Sequence, residues 1–371
     1  MKILSKISII VLLVIITLII AGFLIMRHER FGKIATGARL ERIQKSLNYR
    51  EGQFQNQHRT TMMAEDVSTF ATMKEALFNR SKRNRPTSAL PSVKTNLLSL
   101  DPGKEVLVWF GHSSYFMQLD GKKILVDPVF SGHASPFSFM VKSFSGSDIY
   151  TPDEIPDIDY LFITHDHWDH LDYETVLKLK SKVKKVITSL GTAAHLEYWG
   201  FDTANFVELD WFEQAVLDSG FVVTATPARH FSGRGLRRNK AMWASFVFQT
   251  PHKKIYIGGD SGYDTHFADI GNTFGPFDLA LLECGQYNYA WRYIHMMPEQ
   301  TVQAAIDLKA RTFMPVHWAK FALALHAWDE PIIRVTREAT RLNVPIVHPM
   351  IGEELNLDTL STTTEWWQEI E

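Results

Sequence analysis

Six consecutive residues, His165-Asp166-His167-Trp168-Asp169-His170, bring three imidazoles and a well-placed carboxylate together. The apolar run Tyr160-Leu-Phe-Ile-Thr164 leads straight into them and reads as a strand, which places the motif on a loop at a sheet edge. Alternate residues of an extended chain point the same way, so His165 and His167 can reach one metal ion together. The turn that follows lets Asp169 and His170 face a second ion. Zinc accepts imidazole nitrogen at about 2.0–2.1 Å and carboxylate oxygen at about 2.0–2.2 Å, so these donors suit it. A lone buried histidine is usually a hydrogen-bonded core group. Three in six residues are hard to explain that way.

Two ions need more ligands than this loop holds, and three later segments end on suitable ones. His230 follows Thr224-Ala-Thr-Pro-Ala-Arg, Asp260 follows Ile255-Tyr-Ile-Gly-Gly, and His317 follows Phe313-Met-Pro-Val. The expected sets are His165, His167 and His230 on one ion, and Asp169, His170 and His317 on the other, with Asp260 as the bridge. The glycines before Asp260 allow close backbone approach. Paired ions about 3.5–4 Å apart activate a water and stabilise both the attacking and the leaving oxygen. The expected protein is therefore a hydrolase with two zinc ions per chain.

The elements that must position these groups follow from hydropathy patterning. Strands are expected at Val106–Phe110, Ser114–Leu119 and Lys123–Val126, with Asp120-Gly121 as a hairpin turn. Further strands are expected at 185–188, 206–209, 222–226, 244–249, 254–257, 279–282 and 312–315, and a last one near Ile346. Helices are expected at 173–180, 299–309 and 330–342. Strands and helices alternate after the opening hairpins, which fits an α/β sandwich of two mixed sheets flanked by helices.

Three parts are expected along the 371 residues. Residues 1–26 hold the uncharged run Ile7–Met26, long enough at 1.5 Å per residue to cross a bilayer. A cleaved signal sequence is the competing reading, but the run exceeds the usual 7–15 residue core and no Ala-x-Ala site follows. The expectation is a single-pass N-terminal membrane anchor. Six Lys and Arg between residues 27 and 45, against two before the span, favour the C-terminal side as cytoplasmic. Residues 27–100 read as a polar linker or helical collar, with helical patches at 41–47 and 73–78. Residues 101–371 read as the hydrolase domain. The net charge of −2 gives no reason to expect a nucleic-acid partner. The one cysteine, Cys284, excludes an intrachain disulfide.

The order of the metal motifs resembles the metallo-β-lactamase superfamily, whose seven-ligand pattern is complete here. A closer likeness covers roughly residues 100–350. It rests on Trp109-Phe-Gly-His112, Val126-Asp-Pro-Val-Phe130, His170-Leu-Asp-Tyr173, Glu208-Leu-Asp-Trp211, Gly259-Asp-Ser-Gly-Tyr263, Phe274-Gly-Pro-Phe-Asp278 and Val316-His-Trp-Ala-Lys-Phe-Ala-Leu323. These segments resemble N-acyl-phosphatidylethanolamine-hydrolysing phospholipase D, in which Trp168 would be a tyrosine. The resemblance implies a phospholipid substrate and cleavage of a head-group phosphodiester. It also implies that His295 lies near the substrate phosphate as a proton donor. The ligand set itself leads to the expectation that Asp169 is both a ligand and the catalytic group that orients the attacking hydroxide. The competing expectations are hydrolysis of another bond, such as a lactone, a β-lactam or a nucleic-acid phosphodiester, and a catalytically dead membrane scaffold. His112 is expected to support the site rather than line it. Arg229, Arg234, Arg237 and Arg238 are expected on a solvated loop, with phosphate pairing as the alternative.

Overall fold

The computed structural model describes residues 2–361 and 363–370, with side chains from residue 6 onward. The chain opens with helix α1 (Lys2–Met26), followed by α2 (Gly37–Gln44), the small hairpin β1 (Tyr49–Arg50) and β2 (Gln53–Phe54), and α3 (Thr69–Phe78). The 21 residues Lys6–Met26 are apolar and long enough to cross a membrane, and nothing in the protein buries them.

Two mixed sheets follow. The first contains β3 (Val106–Trp109), β4 (Tyr115–Leu119), β5 (Lys122–Val126), β6 (Ile158–Ile163), β7 (Val183–Ser189) and β8 (Phe206–Leu209). The second contains β9 (Gln214–Asp218), β10 (Phe221–Thr226), β11 (Ser245–Gln249), β12 (Lys254–Ile257), β13 (Leu279–Glu283) and β14 (Phe313–Val316), in the order β14-β13-β12-β11-β10-β9. A last strand, β15 (Glu354–Asn356), returns to the first sheet beside β3, giving the order β15-β3-β4-β5-β6-β7-β8. The strand expected near Ile346 is only a bridge between Phe313 and Ile346; β15 takes its place in the fold. Five helices complete the chain: α4 (Tyr173–Leu179), α5 (Ala193–Tyr198), α6 (His266–Phe274), α7 (Pro298–Asp307) and α8 (Glu330–Leu342).

Local chemistry sets the turns. Asp120 and Gly121 have φ of 49° and 74°, and Leu119 pairs with Lys122, so the hairpin of β4 and β5 closes with positive φ at both central residues. Alternation along the strands then sorts side chains into two cores. Tyr160 and Phe162 of β6 face the space between the sheets, where they meet Phe246 and Phe248 of β11. Leu161 and Ile163 face the other way, towards Val176 and Leu179 of α4. The outer side of the second sheet is covered by Phe267, Val302 and Val335 from α6, α7 and α8.

Residues 27–100 pack on this sandwich. Ala35, Ile43, Phe54 and Leu90 are buried in the larger hydrophobic cluster of the sandwich, and Leu97 joins the cluster beneath α4. Burying Phe54 alone removes enough apolar surface to stabilise the fold by about 2–3 kcal/mol. The wrap begins immediately after α1. Tyr173 Oη donates to Glu29 at 3.0 Å, Trp199 Nε1 to the Glu29 carbonyl at 2.8 Å, and the Lys33 N–H to His195 Nδ1 at 3.0 Å.

Candidate metal centre

Strands β3, β5 and β6 run in one direction in the first sheet, as do β10, β12, β13 and β14 in the second. Each sends a polar residue off its carboxyl end, and these ends meet at one edge of the sandwich. His112 follows β3, Asp127 follows β5, His165 follows β6, His230 follows β10, Asp260 follows β12, Glu283 closes β13 and His317 follows β14. All seven side chains are buried. The backbone is bent to aim them: His112, Asp127, Gln286 and His317 have φ of 54°, 41°, 59° and 70°. Each such left-handed residue costs about 1–2 kcal/mol, a burden that the surrounding ladders must carry. Ahead of Asp260 the approach is tighter still. A Cβ on Gly258 would meet the Leu281 carbonyl oxygen at 2.5 Å, and Gly259 has φ of +62°.

The residues expected as ligands converge in two groups. In the first, His167 Nδ1 lies 2.9 Å from His165 Nε2 and 3.2 Å from His230 Nε2, while Asp260 Oδ2 lies 3.8 Å and 3.7 Å from those two Nε2 atoms. Donors held tetrahedrally at Zn–N distances of 2.0–2.1 Å would lie about 3.3–3.4 Å apart. The observed spacings straddle that value. In the second group His170 Nε2 is 3.2 Å from Asp260 Oδ2 and 3.6 Å from Asp169 Oδ2, and His317 Nδ1 is 3.1 Å from Asp260 Oδ1. Asp260 therefore touches both groups, as a bridge must. His112 also belongs to the second group, its Nε2 2.9 Å from Asp169 Oδ2.

The donor set fits metal ions on three counts. His170 Nε2 and Asp260 Oδ1, both turned into the cluster, are buried without a hydrogen-bond partner in the protein, a state that proteins seldom tolerate. Burial holds His165, His230 and His317 well below the ordinary imidazole range, so they are neutral, the form that ligates. Burial would raise the Asp169 and Asp260 carboxyls, but the imidazoles around them outweigh it and hold both well below the usual range. His170 goes the other way: burial lowers it, and Asp260, Asp169 and Asp127 raise it further than burial can offset. Asp169 and Asp260 are thus ionised, the form in which carboxylates bind a cation.

Outer contacts orient the imidazoles. His170 Nδ1 meets Asp127 Oδ2 at 2.8 Å, and Asp127 is itself held by Thr164 through N–H and hydroxyl. His230 Nδ1 meets the Ile294 carbonyl at 2.8 Å, which leaves its Nε2 for the cluster. Such partners fix which ring nitrogen faces the metal.

His295 stands beside these groups, its ring stacked on His317 at 5.3 Å between centroids. Its Nδ1 meets the fully buried Glu283 carboxylate at 2.8 Å, which leaves Nε2 for the cleft. Burial pushes the Glu283 carboxyl up to about 7, against the pull of His295. Burial would lower His295, but Glu283 outweighs it and the ring stays up at about 9. Glu283 escaped the sequence reading, although its place at a strand end matches that of the expected ligands.

The expected arginine loop is not solvated throughout. Arg234 is buried, donating to the Asp166 and Leu171 carbonyls on one side and to the Arg30 carbonyl on the other. Its guanidinium lies 3.9 Å from the Trp168 ring, which also packs edge-on against Phe31. The tryptophan that replaces the expected tyrosine thus receives the N-terminal segment. Arg229 is tied to Thr60, Tyr263 and the Arg59 carbonyl. Neither arginine faces the cleft.

The cleft over the metal cluster holds about 320 Å³. His167, Asp169, Asp260, His295 and His317 form its floor, and Met62, Met63, Phe231, Trp291, Ile294 and Leu323 form apolar walls. Met62 and Met63 come from the N-terminal segment, and no local pattern around them points to the cleft.

This fold, with a His/Asp cluster at the carboxyl edge of two packed sheets, defines a metal-dependent hydrolase, and the chain belongs to the β-lactamase superfamily, whose domain matches residues 122–318. An uncharacterised protein of Mycobacterium tuberculosis is 37% identical over 339 residues, covering 88% of each chain. N-acyl-phosphatidylethanolamine-hydrolyzing phospholipase D 1 of Caenorhabditis elegans is 31% identical over 232 residues, 58% of this chain and 64% of that protein. Among solved structures, Igni18, a metallo hydrolase from Ignicoccus hospitalis, superposes with a TM-score of 0.51 at 21% identity, covering 68% of this chain and 97% of that one.

Proposed function

We propose that the protein is a membrane-anchored, dinuclear zinc phosphodiesterase of phospholipase D type that acts on N-acyl-phosphatidylethanolamine-like lipids. The observation that carries this reading is the cleft itself: a His/Asp floor under walls of Met62, Met63, Phe231, Trp291, Ile294 and Leu323. Such walls suit acyl chains and the floor suits a phosphate. The likeness to the C. elegans phospholipase and the apolar α1 support the same reading.

His165, His167 and His230 would hold one ion, Asp169, His170 and His317 the other, and Asp260 both. When bound, the ions would neutralise phosphate oxygens and raise the acidity of water. Asp169, steadied by His112 at 2.9 Å, accepts the proton of the attacking water. The water oxygen forms a bond to phosphorus as the P–O bond to the N-acylethanolamine breaks, leaving phosphatidic acid. His295, oriented by Glu283 through Nδ1, gives a proton from Nε2 to the departing alkoxide. Apolar walls exclude bulk water and strengthen these charge interactions.

The test is turnover of N-acyl-phosphatidylethanolamine in mixed micelles by the detergent-solubilised, metal-analysed chain. Release of N-acylethanolamine should stop on chelation and return with zinc. Two ions bound without turnover would discard the lipid substrate and keep the hydrolase; no bound metal would discard both.

A further inference from the structure

A second cavity, of about 470 Å³, opens where α1 ends, between residues 26–36 and the loop 234–241. One wall is apolar, formed by Met26, Phe31, Ile34 and Leu236, and Leu236 is 89% exposed. The base of α1 sits directly on this loop: a Cβ on Gly235 would come within 2.4 Å of Met26 Cε. Lys33 and Arg237 supply the cations of the other wall.

Those two cations stand out once the others are accounted for. Arg30 pairs with Glu174, Arg39 with Glu197 and Glu208, and Arg42 with Glu213. Lys240, also in the lining, donates to the Gly52 carbonyl. Among the described residues, Lys33 and Arg237 make no ion pair; the Lys33 amine has only the Tyr198 ring, 5.8 Å away. Unpaired cations beside an apolar wall at the end of a membrane-length helix match an anionic amphiphile.

The cavity floor reaches the metal motif. Asp166, from the centre of that motif, accepts from the Gly233 N–H at 2.6 Å and lies 3.2 Å from His195 Nε2, while Arg234 spans from the Arg30 carbonyl to those of Asp166 and Leu171.

We propose that this cavity binds one anionic phospholipid, its phosphate on Lys33 and Arg237 and its acyl chains along Met26 and Leu236, and that occupancy stiffens loop 165–171. The proposal rests on α1 crossing a bilayer, which recovery of the chain in alkali-washed membranes tests separately. It does not depend on which substrate is turned over.

The experiment is thermal unfolding of the full chain in an uncharged detergent, with dioctanoyl-phosphatidylglycerol, dioctanoyl-phosphatidylcholine or inorganic phosphate added. At roughly ten times its Kd, phosphatidylglycerol should raise Tm by about 2–4 °C and slow hydrogen exchange in residues 165–171. Phosphatidylcholine and phosphate should do neither. The paired change Lys33→Gln with Arg237→Gln should abolish the shift while leaving the lipid-free Tm in place. Gly235→Leu, which fills the cavity, should abolish it too. Asp260→Asn should keep the shift, because it alters only the metal cleft. An equal shift with phosphate alone would mean that the ligand is the free anion and the lipid assignment is wrong. An equal shift with phosphatidylcholine, or one that survives the paired change, would overturn the site.

Discussion

Two regions wall the metal cleft, and they hold their residues by opposite means. On the sandwich side, side chains leave the carboxyl ends of strands whose ladders pin the backbone, on both flanks for every such strand but the edge strand β14. On the other side, the regular structure of residues 48–64 is one hairpin of two two-residue strands, and the segment is fixed by individual contacts. Asn56 is the clearest case. It accepts from the His230 N–H at 3.1 Å, donates to the His230 carbonyl at 2.8 Å and accepts from Trp243 Nε1 at 3.0 Å. Further along, the Ala64 N–H donates to the Ala290 carbonyl at 2.7 Å. The ladder-held side can keep several left-handed residues and unpartnered donors in place. The contact-held side brings apolar surface to the cleft and can change without disturbing the metal ligands. Chemistry is thus assigned to the rigid region and access to the adaptable one.

Four substitutions sharpen or break that contrast. Asp260→Asn strikes the rigid side at its bridge and should lower turnover roughly 10³-fold or more. Elemental analysis of the purified variant should show less than the parent metal content. Near-normal turnover with full metal content would be fatal to the two-ion assignment. Phe54→Ala removes the core anchor of the adaptable side and should cost about 3–5 kcal/mol of stability, read from urea unfolding. Turnover per folded molecule should hold, and a parallel collapse of metal content would show that the two regions are not separable. Asp127→Asn, behind His170, should weaken metal affinity about 10–100-fold, measured by competition with a chelator. Asn56→Ala should cost about 1–2 kcal/mol by stranding the His230 N–H. Its effect on metal affinity should be smaller than that of Asp127→Asn; a larger one would place Asn56 in the rigid machinery.

The same contrast explains what could be read from the sequence. Strand-end residues announce themselves, since an apolar run that ends on His or Asp is a local pattern; His165, His230, Asp260 and His317 were found that way. The bounds 330–342 expected for α8 match the structure, in which Pro331 sits in the first turn and Asn343 ends the helix in the left-handed conformation. Short or half-exposed elements lack such marks. Strand β9 exposes Gln214 and Val216, and the six-residue α5 is too short for a helical period to show. Glu283 has the strand-end signal, but the seven expected ligands already fill two metal shells and leave it no assigned role. The approach of Met62 and Met63 to the cleft depends on contacts far along the chain, such as that of Asn56 with His230, and no local pattern encodes those.

The Arg234 guanidinium has a consequence for where this enzyme can work. It ties the Arg30 carbonyl to the loop of the metal motif, and Arg30 lies only four positions beyond Met26, the last residue of α1. Four residues, even fully extended, span no more than about 14 Å. On the proposed placement, that short stalk fixes the height of the cleft above its own bilayer and prevents it from reaching across to a facing one. The protein would then serve only lipids in the leaflet that α1 leaves on its C-terminal side. Its supply of substrate would be set by lateral diffusion in that sheet rather than by the concentration of lipid in the cell.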